Sequence, residues 1–143
     1  FDIPLAGFNF PMNEISATLG LEQLPHLDGI VARHRAYGQY YDAALAGIPG
    51  LRLLKRREDS VSGFWTYALR AERRDDLIRK LLYHGIGTQR LHLRNDGYAC
   101  FGAKARELPG VIEFDAQNLS IPCGWWVGDE ERERVVACLR SGW

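Results

Sequence analysis

Cysteine is scarce in this sequence, and long apolar runs are missing. The 143 residues include three cysteines, Cys100, Cys123 and Cys138, and none of them forms a CxxC pair. This odd, unpaired set predicts reduced thiols in a cytoplasmic protein rather than a disulfide framework. No apolar run approaches the ~20 residues that a membrane-spanning helix needs, and no signal-peptide pattern opens the chain. The first residue is not Met, which is typical of a trimmed product or a piece of a longer protein.

An excess of one charge is missing as well. Acidic and basic residues number 18 each, so no global field favours nucleic acid or an anionic membrane as a partner. The basic run at residues 55–57 is followed at once by Glu58 and Asp59, which is typical of a solvated loop. GxGxxG, GxSxG, HExxH and the phosphate-loop motif do not occur, and the histidines have no cysteine at metal-ligand spacing. We therefore expect no metal site.

The first third of the chain carries helical signals. Asn13 is a good N-cap, so a helix is predicted from that point. Pro25 cannot occupy a helix interior without the loss of a hydrogen bond, so it either kinks this helix or opens a new one. The apolar stripe beyond it recurs every three or four residues and comprises Leu27, Ile30, Val31, His34, Tyr37, Tyr41, Leu45 and Ile48. This stripe predicts an amphipathic helix that ends at residues 47–50.

The remainder alternates short strands with helices. The patterns predict strands at 51–54, 64–71, 86–93 and 118–122, and helices at 73–85 and 128–140, with an irregular loop at 94–110. In the last helix we expect Asp129 as the cap and Val135, Val136 and Leu139 facing inward. Composition is that of an ordinary globular domain, and no linker or repeat divides it. We predict one α+β domain over residues 1–143, with a small, mostly antiparallel sheet covered by helices.

Four segments carry side chains suited to a site. Residues 90–96, RLHLRND, combine guanidinium groups that bind phosphate oxygens with an imidazole that can move a proton; the alternative is a rim of ordinary polar residues. Asn9 can donate to a phosphate or cap a turn. His34, on the apolar stripe, is interpreted as a hydrogen-bonded core or interface histidine. The GWW at 124–126 is interpreted as a packing anchor, with stacking on a sugar or a partner chain as the alternative.

Taken together, these segments resemble one family. GFNFPMNEISATLGLEQL, LDGIVARHRAYGQYYDAAL, GLRLL, RRDDLIRKLLYHGIGT, HLRND and the terminal SGW follow one another in the same order as in the carboxy-terminal part of the DegT/DnrJ/EryC1/StrS sugar aminotransferases. The resemblance implies the small domain of a homodimeric fold-type I pyridoxal phosphate enzyme. Residues 1–12 would form a cofactor and dimer loop, 13–48 the helices, and 51–143 the small sheet-and-helix domain. The implied reaction is transamination of a nucleotide-linked keto-hexose, usually with glutamate as amino donor.

The resemblance also implies roles for single residues. Asn9 matches the asparagine that contacts the cofactor phosphate of the other subunit, and Phe8 and Phe10 would wall that shared pocket. His92 matches a histidine near the substrate, and Arg94, with the neighbouring Asn95, would face the nucleotide diphosphate.

The family's Schiff-base lysine lies upstream of the matching loop, and none of Lys55, Lys80 and Lys104 has its context. The resemblance therefore predicts that this chain, standing alone, binds no cofactor and does not transaminate. The alternative is a stand-alone interaction or ligand-binding protein that kept the small-domain fold, and that binds a nucleotide sugar through Arg90, His92 and Arg94.

Overall fold

The computed structural model describes residues 2, 4–5, 7, 11–102 and 107–143. Within these ranges the helices are α1 Glu14–Gln23, α2 Leu27–Ala44, α3 Arg74–Tyr83, α4 Pro109–Gln117 and α5 Asp129–Arg140, and the strands are β1 Leu51–Leu53, β2 Tyr67–Ala71 and β3 Asn118–Ile121. The strands form one antiparallel sheet in the order β1-β2-β3. The predicted α+β class is therefore confirmed. Of the helices in these ranges, none combines the length and the apolar character needed to cross a membrane.

The first two helices are separated by a short break. Asn13 caps α1, because its Oδ1 accepts a hydrogen bond from the Ser16 backbone N–H at 2.8 Å, as the sequence predicts. Pro25 lies in a short 3₁₀ turn, Leu24–His26, between α1 and α2. No residue of α1 is buried, and burial in α2 begins at His34. The stripe of α2 is thus buried only in its second half.

The sheet buries one face in the core. Tyr67 pairs with Ile121 and Leu69 with Leu119, and these side chains are at most 3% exposed. The largest fully buried side chains come from α2, the loop after it, β2, β3, α3 and α5: Tyr41, Leu45, Tyr67, Leu69, Leu77, Leu81, Leu119 and Leu139. Because strand side chains alternate between faces, Arg70 points the other way, and there it binds Gln117 and Glu113 of α4. The sheet is therefore held between the core helices and α4.

Two of the predicted strands differ from the structure. The second begins at Tyr67 rather than residue 64, because Phe64 has a left-handed φ of 49° and its ring packs over Gly38 of α2. The strand predicted at 86–93 is wrong: only Gln89 bridges to β3, through two backbone hydrogen bonds with Ser120 of 3.2 and 2.8 Å. His92, with a φ of 59°, turns the chain away from the sheet soon after that bridge.

Two helix boundaries also differ from the predictions. Helix α4 was not predicted, although Pro109 in its first turn is a helix-start signal. The N-cap of α5 is Gly128, and Asp129 is the first helical residue rather than the cap. The inward-facing Val135, Val136 and Leu139 of α5 are buried as predicted.

Candidate functional site

A groove of about 570 Å³ runs along β3 and the segment that bridges to it. Its lining includes Trp65, Thr66, Gln89, Ser120, Cys123 and Trp126. Trp65 stands two residues before the start of β2 and is 66% exposed, and Trp126 stands before α5 and is 67% exposed. Large exposed aromatic rings at a concave surface are typical of a binding surface. We call this feature the tryptophan groove. Trp125 is 51% exposed as well, so both indole rings of the GWW segment, interpreted from the sequence as a packing anchor, are more than half exposed.

Two polar side chains line the groove from buried positions. Ser120 is 5% exposed, and its Oγ has no hydrogen-bond partner among the described residues. Burial raises the pKa of the Cys123 thiol to about 11, so the thiol stays protonated near neutral pH and is a poor nucleophile. This part of the groove therefore provides hydrogen-bonding groups rather than an activated nucleophile.

His34 joins three segments behind the tryptophan groove. Its Nδ1 lies 3.0 Å from the Phe64 backbone oxygen, and its Nε2 accepts a hydrogen bond from the Trp125 backbone N–H at 3.2 Å. The imidazole is also in edge contact with the Trp126 ring, with 6.1 Å between ring centroids. The interpretation of His34 as a hydrogen-bonded core residue is confirmed, and the histidine is 8% exposed.

An acidic group anchors the core side of β2. Asp42 of α2 accepts hydrogen bonds from the Tyr67 hydroxyl and from Arg56, each at 2.7 Å. The Arg56 guanidinium also lies 4.4 Å from the centroid of the Phe64 ring. Burial, and then the hydrogen bond to Asp42, raise the pKa of the Tyr67 hydroxyl. These contacts tie α2 to the start of β2. The segment that carries Trp65, just before β2, is therefore attached to a fixed part of the structure.

The segment 90–96 forms its own ion pairs. Arg90 binds Asp115 of α4 at 3.1 Å, and Arg94 binds the Asp96 carboxylate with both Nε and an NH₂ group. The Arg94 hydrogen bond to Asp96 lowers the pKa of that carboxyl. His92 is exposed, and its ring is 6.2 Å from that of Trp65. Both arginines therefore already have carboxylate partners, and His92 links this segment to the tryptophan groove.

The predicted site residues fall into two groups. His92, Arg94 and Asn95 lie in one segment next to Trp65, whereas Phe8, Asn9 and Phe10 lie outside the described residues. Trp65 and Ser120 carry no sequence signal of a groove. The pattern predicts a regular strand at 64–71, and its alternation conceals the left-handed turn at Phe64.

Neither of the two described lysines, Lys55 and Lys80, lines the tryptophan groove. Lys80 donates to the Cys138 carbonyl at 2.9 Å, the Ser141 hydroxyl at 2.6 Å and the Gly142 carbonyl, so it caps the end of α5. Lys55 is exposed in a loop, where nothing desolvates its ammonium group. Lys104 lies outside the described residues. No group of three or more His, Cys, Asp or Glu in the described part of the chain is arranged to hold a metal ion.

This α+β architecture is similar to that of sugar aminotransferase structures. The crystal structure of the sugar aminotransferase CalS13 from Micromonospora echinospora superposes with a TM-score of 0.88 at 36% identity, over 96% of this chain and 37% of that one. The chain belongs to the DegT/DnrJ/EryC1/StrS aminotransferase family, whose family model matches residues 2–140.

Two curated relatives show how much of a family member is present. The erythromycin biosynthesis sensory transduction protein EryC1 of Saccharopolyspora erythraea is 30% identical over 141 residues, which is 95% of this chain and 38% of the relative. The dTDP-3-amino-3,4,6-trideoxy-alpha-D-glucose transaminase of Streptomyces venezuelae is 31% identical over 140 residues, which is 94% of this chain and 37% of the relative. The chain thus spans little more than a third of the length of these relatives.

Proposed function

We propose that this chain is the carboxy-terminal domain of a cytoplasmic, homodimeric nucleotide-sugar aminotransferase that uses pyridoxal phosphate and glutamate. The family match and the transaminase among the relatives support the reaction class. The chain spans little more than a third of the length of each relative, which supports the proposal that it is one domain of the enzyme. The substrate class is a keto-hexose carried on a nucleotide diphosphate.

The observation that carries this proposal is the exposed apolar surface of the first helices. Ile15 is 74% exposed, Leu19 61%, Leu24 59% and Leu27 49%. Four large apolar side chains on consecutive helical turns indicate a surface that another part of an assembly covers. In the proposed enzyme, the second subunit covers it.

The chain's own contribution is recognition rather than bond making. Asn9 donates to the cofactor phosphate of the second subunit, and Phe8 and Phe10 line the pocket beside it. His92, Arg94 and Asn95 face the nucleotide sugar. Only two of the five N–H donors of Arg94 are needed by Asp96, so the others remain for phosphate oxygens.

The first experiment is to sequence the gene upstream of the codon for Phe1 and to express the whole reading frame. We expect an in-frame extension that contains the cofactor lysine, and a dimer that transaminates a dTDP-keto-hexose with glutamate. Leu19→Glu should weaken the dimer at least tenfold. The matched control is Leu82→Glu, which changes a leucine that is 68% exposed on α3 and should leave the dimer unchanged.

A different result would support the alternative function. A start codon directly before Phe1 would contradict the proposal and favour a stand-alone binding protein. In that case the 143-residue chain should bind a nucleotide sugar without cofactor, and alanine at His92 and Arg94 should abolish the binding. The tryptophan groove is the observation that favours this second function.

A further inference from the structure

Both ring nitrogens of His34 are used, and each binds a different loop. The Nδ1 contact reaches the Phe64 carbonyl, 30 residues along the chain, and the Nε2 contact reaches the Trp125 N–H, 91 residues along. Phe64 immediately precedes Trp65, and Trp125 immediately precedes Trp126. The two anchor points are therefore each one residue from a tryptophan of the groove.

The partners fix the protonation state of the ring. A backbone N–H can only donate, so Nε2 of His34 carries no proton where it meets Trp125. A backbone carbonyl can only accept, so Nδ1 carries the proton where it meets Phe64. The geometry thus requires one neutral tautomer, with the proton on Nδ1.

We infer that His34 is a positioning residue that holds the two tryptophans of the groove, Trp65 and Trp126, through one hydrogen bond to each of their supporting loops. The left-handed backbone at Phe64, with a φ of 49°, turns the Trp65 side chain out of the sheet pattern. The Phe64 carbonyl at that turn is the atom that His34 binds. On the other loop, the Trp125 N–H is bound while both neighbouring indole rings stay more than half exposed.

Neighbouring contacts support the same two loops but do not replace His34. Arg33 donates to the Trp125 carbonyl at 3.5 Å, and Arg35 donates to the Ser62 carbonyl at 3.3 Å. Both side chains are on the exposed side of α2, whereas His34 is buried between the loops. His34 is thus the buried residue that joins both loops to the same helix.

Two conservative variants separate the two hydrogen bonds. The amide of asparagine can take the place of Nδ1, so His34→Asn keeps a donor for Phe64 and loses the acceptor for Trp125. The longer glutamine side chain can take the place of Nε2, so His34→Gln keeps the acceptor for Trp125 and loses the donor for Phe64. The readout is the indole N–H spectrum of the 143-residue chain, which contains four tryptophans. Trp143 is the internal control, because its indole donates to the Glu72 carbonyl far from this site.

We expect His34→Asn to shift the indole signal of Trp125, and His34→Gln to shift that of Trp65, whereas Trp126, whose ring contacts the imidazole, should shift in both variants. Trp143 should stay in place in both variants, and nitrogen-15 spectra of the wild type should show the proton on Nδ1. Equal shifts of the Trp65 and Trp125 signals in both variants, or no shifts, would overturn the inference, as would a proton on Nε2. If a variant does not fold, the position of the proton on His34 in the wild type still tests the inference. The test needs no catalysis, so it can fail while the proposed function stands.

Discussion

The helical arm, residues 14–29, and the packed body, residues 34–143, differ in what covers their apolar side chains. Both have apolar residues at helical spacing, but Ile15 and Leu19 of the arm are 74% and 61% exposed, whereas Leu77 and Leu81 of α3 are fully buried. Hydrophobic spacing therefore predicts a helix in both regions. Whether that helix is buried depends on a second surface that covers its apolar side chains. Within the described residues α3 packs against such a surface, whereas α1 does not.

The break at Pro25 lies between the exposed helix α1 and the helix α2, which is buried in its second half. Pro25 has no backbone N–H, so the chain passes through a 3₁₀ turn before α2 begins at Leu27. Beyond this point one face of the helix packs into the core, with His34, Tyr37, Gly38 and Tyr41 buried. The arm is therefore a projection from a compact unit, and it suits the contact with a larger assembly that we propose.

The sharpest test of this comparison is a pair of leucine substitutions. Leu69→Ala removes a fully buried side chain from β2 and should lower the free energy of unfolding by about 3 kcal/mol. Leu19→Ala removes a side chain that is 61% exposed on α1 and should change it by less than about 0.5 kcal/mol. Urea denaturation of the two variants measures both values. Equal losses would mean that the arm packs on the body of its own chain.

Most of the fold follows from the sequence because local signals and packing agree. The Asn13 cap and the inward face of α5 both follow from local rules. The strand prediction at 86–93 failed for a tertiary reason. Gln89 forms one bridge with Ser120, and the left-handed turn at His92 ends the pairing, which a period-two pattern does not reveal.

The candidate site is less predictable, because it depends on contacts between distant segments. The sequence indicates His92, Arg94 and Asn95 from their residue types. It does not show that Arg94 is paired with Asp96, or that the His92 ring lies beside Trp65. The tryptophan groove needs Trp65, Ser120 and Trp126 together, and these residues are brought near one another only by sheet pairing and by the loops around His34.

A smaller effect is expected from a hydroxyl inside the body. Tyr67→Phe removes the 2.7 Å hydrogen bond to Asp42 and should cost about 1–2 kcal/mol. Burial and Asp42 raise the pKa of Tyr67 above its ordinary value, so the phenol ionises more easily in the unfolded chain. Stability should therefore fall as the pH rises above about 10. The fall should be smaller in Tyr67→Phe, as measured by urea denaturation at several pH values.

The matched control lies on the surface of the same body. Tyr83 is 87% exposed at the end of α3, so Tyr83→Phe should leave both the stability and its pH dependence unchanged. The fall in stability with rising pH should not vanish in Tyr67→Phe, because burial also raises the pKa of Tyr41. A wild-type stability that rises with alkaline pH would contradict the assignment.

The smallest expected effect belongs to the arm. Asn13→Ala removes the side-chain acceptor of the Ser16 N–H and should destabilise α1 by about 0.5–1 kcal/mol. Because α1 buries none of its residues, this local loss should lower helicity and speed amide exchange in α1 without moving the urea midpoint of the body. Far-ultraviolet circular dichroism measures the helicity, and hydrogen exchange measures the exchange rates of the α1 amides. Asn95→Ala, in an exposed loop, should change neither. If Asn13→Ala lowered the urea midpoint as well, the arm and the body would unfold as one cooperative unit, and the distinction between them would be wrong.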